Sequence, residues 1–153
     1  MTIQEIEKKC GRQLPAAYVE FLATIGDFAE YWFRDDPDDP DDPGRCWWLF
    51  GIDRLQNELD MIGVGKAPAY SSLRLYTACY REASGASVVY ASGGDELPID
   101  RVAGGFVIGD ENGDPLYLDP SDGFSVWTYC HDGANVRKLA RSFEEWIKQA
   151  TPA

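Results

Sequence analysis

Hydrophobic positions along this chain fall into short blocks whose spacing switches between helical and extended periods, and each switch predicts an element. Ile3, Ile6 and Cys10 share one side of a helix over residues 2–10, with Thr2 and Glu5 at capping-box spacing and Gly11 to end it. A second helix opens at Leu14-Pro15, since proline fits the first helical position, and runs to Ile25 with Tyr18, Phe21, Leu22 and Ile25 as its apolar stripe. Gly26 suits a left-handed cap. Residues 46–50, Cys-Trp-Trp-Leu-Phe, are wholly apolar and predict a strand that Gly51 closes. Asp53 is placed to cap a third helix burying Leu55, Leu59 and Ile62, and a fourth runs from Ser71 or Ser72 to Ala83 with Leu73, Tyr76, Thr77 and Tyr80 on one side. Residues 84–105 carry only hints, Val88-Val89-Tyr90 as a strand and Leu97-Pro98-Ile99 as a loop seat, and read as irregular. The last helix starts at Ser142, where the hydroxyl can cap and Glu145 closes the box, with Phe143, Trp146, Ile147 and Ala150 facing inward.

Residues 106–119 state the architecture most clearly. Apolar runs flank Asn112-Gly113, a pair suited to a type I′ turn because both central residues need positive φ. With that turn, Glu111 faces Asp114, Asp110 faces Pro115, Ile108 faces Tyr117 and Phe106 faces Asp119. Val107, Leu116 and Leu118 then share one face, and Phe106, Ile108 and Tyr117 the other. Two apolar faces predict a strand pair covered on both sides. Residues 120–123 turn the chain, and alternation from Phe124 to Tyr129 adds a third strand, making a meander; His131-Asp132-Gly133 is the next turn.

The polar positions are more eccentric. Residues 35–43 repeat Asp-Asp-Pro three times. An extended polyproline II form would align the prolines on one edge and the carboxylates in rows repeating at about 9 Å. That is too long for neighbouring repeats to share a metal ion, and a self-repelling exposed loop competes with a partner-facing role. Across 153 residues the net charge is −12, which disfavours nucleic-acid phosphates and favours either a basic partner or simple solubility. Hydrophobic residues at 44% supply a core for one domain. No charged-then-apolar leader and no apolar run near 18 residues is present, so a cytoplasmic protein without membrane contact is the expectation. The four cysteines, Cys10, Cys46, Cys79 and Cys130, lie far apart and predict reduced, mostly buried thiols.

Catalytic and metal chemistry finds little support. Asp110, Asn112 and Asp114 have the one-three-five spacing of a calcium loop, but Pro115 and Ser121 stand where such a loop needs Gly and Glu. His131, the only histidine, sits in a turn without evident partners for a triad. The glycine-rich stretches match no phosphate-cradling pattern. The expectation is a non-enzyme with no metal or cofactor.

The order of features resembles the SMI1/KNR4 family of the SUKH superfamily. Members open with a helix and an LP-x-x-Y-x-x-FL-x-x-x-G motif, here Leu14-Pro15, Tyr18, Phe21-Leu22 and Gly26. Ile108-Gly109, Gly113 and Leu118-Asp119 match the family's late strand pair, followed by His131-Asp132 and by Ala140, Ser142-Phe143 and Ile147 of its final helix. The likeness is weak over residues 62–105 and does not include the Asp-Asp-Pro repeat. It implies a single α+β domain over residues 1–153, with a central, mostly antiparallel sheet packed by N-terminal and C-terminal helices. It also implies an immunity protein that neutralises a cognate toxin, often a nuclease and therefore basic; the alternative is a regulatory scaffold module, as in fungal relatives. On the immunity reading, Asp36, Asp39 and Asp42 of the acidic loop and Glu111 and Asp114 at the hairpin tip form the contact surface, with Trp47 or Trp48 as a buried anchor.

Overall fold

In the computed structural model, which describes residues 2–153, Thr2 caps α1 (Ile3–Cys10) in a reciprocal box with Glu5, and Gly11 ends it at φ 66°. Met1, the first residue of the expected domain, lies outside the described residues. Pro15 precedes α2 (Ala16–Thr24). The predicted left-handed cap at Gly26 does not form: Ile25 turns extended after α2, and the chain runs straight into β1 (Phe28–Phe33). The apolar run became β2 (Arg45–Phe50) as predicted.

The third helix is corrected. Only one turn forms, α3 (Ile52–Leu55), capped by Gly51 rather than Asp53; β3 (Glu58–Met61) and β4 (Gly65–Pro68) follow as a separate hairpin. Leu59 and Ile62, expected inside, are 41% and 96% exposed. Three residues of helical spacing could not outweigh the Gly63 turn at φ 81°, which closes the hairpin. Next comes α4 (Leu73–Ser84), near its predicted bounds. The stretch read as irregular holds β5 (Val88–Ala91), β6 (Glu96–Pro98) and α5 (Ile99–Ala103). These are too short for a period to show.

The meander is present as β7 (Phe106–Glu111), β8 (Asp114–Asp119) and β9 (Ser125–Cys130), with β10 (Asn135–Ala140) continuing it. Then come α6 (Phe143–Gln149), capped by the Ser142 hydroxyl, and β11 (Thr151–Pro152). The hairpin register holds at the tip, Glu111 with Asp114 and Asp110 with Pro115, and then slips by one at a bulge between Val107 and Gly109. Phe106 therefore faces Leu118, and Val107 faces Tyr117. The bulge re-sorts the faces: Phe106, Ile108, Leu116 and Leu118 go to one core, Val107 and Tyr117 to the other.

Nine strands form one sheet in the order β11-β1-β2-β7-β8-β9-β10-β5-β6, antiparallel except where β10 meets β5. The molecule is thus a single α+β domain around a mostly antiparallel sheet. On one face α1, α2 and α6 bury Ile6, Tyr18 and Trp146 against Phe33, Trp47, Leu49 and the first meander set. On the other, α4 and α5 bury Leu73, Ile99 and Val102 against Val89, Tyr117, Tyr129 and Val136. That second layer stops short of β1 and β2. There Phe28, Trp32 and Trp48 remain 38%, 46% and 40% exposed.

Candidate functional site

Strand alternation divides the expected contact residues between the two faces of the sheet. Trp47 points into the first core and is fully buried, whereas Trp48 points the opposite way and is exposed. Only Trp48 is available as an anchor.

Glu111 and Asp114 are not free acids at a hairpin tip. Arg45, seated over the Trp47 ring at 4.6 Å, donates through Nε to Glu111 at 2.8 Å and through its terminal nitrogen to Asp114 at 2.8 Å. The other Asp114 oxygen accepts the His131 backbone N–H at 3.0 Å and lies 2.6 Å from His131 Nδ1. These bonds also remove Asp114 from the calcium reading, and no group of three or more His, Cys, Asp and Glu side chains among the described residues is arranged for a metal.

Burial raises the Asp114 pKa, but the His131 and Arg45 bonds outweigh it and leave the carboxyl below the usual range. The bond from Asp114 raises His131. A raised histidine stabilises the fold fully below its ordinary 6.5 and loses that contribution as pH climbs through its folded value; a depressed carboxyl contributes above its ordinary 3.8 and loses it on acidification. His131→Ala should therefore lower the urea midpoint most between pH 3.8 and 6.5, with the difference from wild type shrinking above that window. A difference that stays constant up to pH 9 would refute the pairing.

The acidic loop is folded, not extended. Asp39 and Asp42 donate backbone N–H bonds to the carbonyls of Asp36 and Asp39, each at 3.2 Å. The first aspartate of each turn also accepts from the backbone two residues on: Asp36 from Asp38 at 3.0 Å, Asp39 from Asp41 at 2.9 Å and Asp42 from Gly44 at 2.8 Å. Proline at the second position presets φ for such turns, so a three-residue repeat gives successive Asx turns instead of polyproline II. Asp36, Asp39 and Asp42 are thus spent on the backbone, and the bonds from Gly44 and Asp36 lower the Asp42 pKa. Asp38 and Asp41 keep exposed side chains. Asp35 ties the loop to Arg137 at 3.3 Å.

On the uncovered face, Trp48 and Asp110, which the sequence offered separately as an anchor and as a calcium-loop position, come together with Glu30, which it did not single out. Register aligns Glu30 of β1, Trp48 of β2, Asp110 of β7 and Pro115 of β8 in one row across the sheet. Phe28 stacks on Trp48 at 4.6 Å with the rings 4° from parallel, and Arg54 lies 5.0 Å over Phe28. A cleft of about 350 Å³ beside the row is lined by Trp48, Phe50, Leu59, Tyr76 and Asp110. Burial raises the Asp110 pKa, helped by neighbouring Glu111 and opposed by Arg54. No alternation announced this face: residues 28–33, Phe-Ala-Glu-Tyr-Trp-Phe, are apolar except for Glu30.

The four thiols are free, but Cys79 is exposed and the others only half-buried, so the expectation of mostly buried thiols is corrected. Cys46 shares the uncovered face, opposite Trp32, and Cys79 lies on the outer side of α4.

The family model described as SMI1 / KNR4 family (SUKH-1) matches residues 2–149. No curated protein and no solved structure matches the chain. No helix among the described residues is long and apolar enough to cross a membrane. The matched span takes in the helices of both termini and the bulged strand pair that joins the two cores, and on that coverage the chain belongs to the SMI1 / KNR4 family (SUKH-1).

Proposed function

We propose that this protein is an immunity protein of a bacterial polymorphic or contact-dependent toxin system, which binds a cognate basic toxin and blocks it without catalysis. Family membership is consistent with that role. The observation that carries it is the uncovered aromatic face of β1 and β2, where Phe28, Trp32 and Trp48 stand beside Glu30 and Asp110 in a chain of net charge −12. Exposed aromatics grouped on a rigid sheet suit a protein partner, since such residues supply most interface energy. Surrounding carboxylates select a basic one, and nuclease toxins are basic because their substrates are polyanions.

The acidic loop and the aromatic face then have different parts. Loop carboxylates already bonded to their own backbone still carry charge, which acts at a distance and raises the encounter rate; Trp48 makes contact and slows dissociation. Replacing all six repeat aspartates with Asn should slow association about tenfold at low salt and flatten its salt dependence, with dissociation nearly unchanged. Surface plasmon resonance against the toxin reads both rates. Co-expression with the toxin encoded beside the gene tests the function itself: protected cells support it, and equal killing with and without the protein refutes it.

A further inference from the structure

The cross-strand row on the uncovered face places an indole between two carboxylates. Glu30 faces Trp48 from β1 and Asp110 faces it from β7. Neighbouring strands lie about 4.8 Å apart, so the two acids stand roughly 10 Å from each other with the ring between them. Neither acid has a hydrogen bond or an ion pair to any side chain among the described residues. Most other carboxylates near the sheet are engaged: Asp119 by Arg101, Glu111 and Asp114 by Arg45, Asp122 by Lys138. Asp110 is moreover half-buried in an aromatic cleft, where an unpaired charge is costly. The cation that also lines this cleft, Arg54, is drawn aside by Asp27 at 3.2 Å and sits over Phe28.

We propose that Glu30, Trp48 and Asp110 form a socket for an arginine side chain of the protein partner. A guanidinium is flat enough to stack on an aromatic ring, and it projects N–H donors from several edges of its plane, so it can lie against Trp48 while reaching a carboxylate on either side. A lysine ammonium meets one acid or the ring, but not both acids at once. Phe28 holds the indole in place from the other strand, so the socket is preformed. The chain's charge of −12 attracts the same class of partner that the socket accepts. That the arginine belongs to a toxin rests on the proposed function; that the socket takes a guanidinium does not.

The test uses two peptides that differ only in charge, acetyl-Gly-Arg-Gly-amide and its citrulline counterpart, titrated into the full chain and followed by amide and indole N–H chemical shifts. The arginine peptide should give saturable shifts centred on Trp48 and Asp110, and the citrulline peptide none. Asp110→Asn should weaken the arginine peptide about tenfold, Glu30→Gln less, and Asp60→Asn on the exposed hairpin not at all. Equal shifts from both peptides, or undiminished binding by Asp110→Asn, would overturn the socket. Toxin protection is scored separately with wild type and Asp110→Asn. Wild-type protection with an unresponsive socket sinks only the inference; a responsive socket without protection sinks only the immunity function.

Discussion

Replacing Trp47 with Ala is expected to lower the unfolding free energy by about 3–5 kcal/mol, while the same change at Trp48 costs about 1 kcal/mol and acts mainly on partner binding. The two side chains are adjacent in sequence and identical in chemistry. They differ because a strand sends successive residues to opposite faces, one covered by α1, α2 and α6 and the other uncovered. Removing the Trp47 indole opens a large void among Phe33, Leu49 and Trp146 and also takes away the ring beneath Arg45. The Arg45 bonds to Glu111 and Asp114 then lose their support, so damage extends to the hairpin tip. Trp48, 40% exposed, loses its stack on Phe28 but leaves an open surface, not an enclosed void. Urea denaturation of both variants decides the matter. Similar midpoints, or a larger loss at Trp48, would mean that β2 is turned the other way. In binding, Trp48→Ala should cost the toxin complex about 2 kcal/mol, read as faster dissociation.

The same alternation shows how far the sequence could be read. Helices with strong caps were legible: Thr2 with Glu5, and Ser142 before Phe143, each mark a boundary by chemistry local to a few residues. The type I′ tip was legible too, and Asn112 and Gly113 both adopt positive φ, at 53° and 88°. What escaped was set by distant contacts. Gly51 was read as closing a strand, and it also lies against the Gly26 carbonyl so tightly that a Cβ would stand 1.9 Å from that oxygen; nothing near either glycine announces this. The short strands β5 and β6 exist because β10 and α5 give them neighbours. For the contact surface, charge and aromatic content were visible, but placement was not. The acids at the tip turned out to be engaged by Arg45, which lies 66 positions from Glu111 in the chain.

The loop of residues 35–43 shows the same limit at finer scale. Its period of three is compatible with polyproline II and with successive Asx turns, because proline's φ suits both. Aspartate decides between them. Its carboxylate can reach the backbone N–H two residues on, and three such bonds at 2.8, 2.9 and 3.0 Å hold the turns. A repeat that looked like a row of presented charges is half scaffold. Asp38 and Asp41 present charge, while Asp36, Asp39 and Asp42 keep the turns closed.

Gly109→Ala should be among the most damaging single-methyl changes in the molecule. An added Cβ there would stand 2.3 Å from the Trp48 carbonyl oxygen and 3.1 Å from Leu49 Cα, and both are backbone atoms that cannot swing aside. β2 and β7 are aligned through just two pairs, Trp48 with Asp110 and Leu49 with Gly109, and this seam joins the β1–β2 arm to the meander. The bulge of the β7–β8 pair, between Val107 and Gly109, adjoins this point. A methyl at the seam must push the arm away, with a stability loss of about 1–3 kcal/mol from overpacking. It must also separate Trp48 from Asp110, so binding to the partner should fall further than the stability loss alone explains. Gly26→Ala is the control: a Cβ there meets nothing within 4 Å, and the change should stay within about 0.5 kcal/mol. Urea midpoints for the two variants, with toxin affinity measured well below the transition, separate the effects. A Gly109→Ala protein with wild-type midpoint and wild-type affinity would show that the two halves of the sheet are not held by this contact, and the row from Glu30 to Asp110 would lose its physical basis.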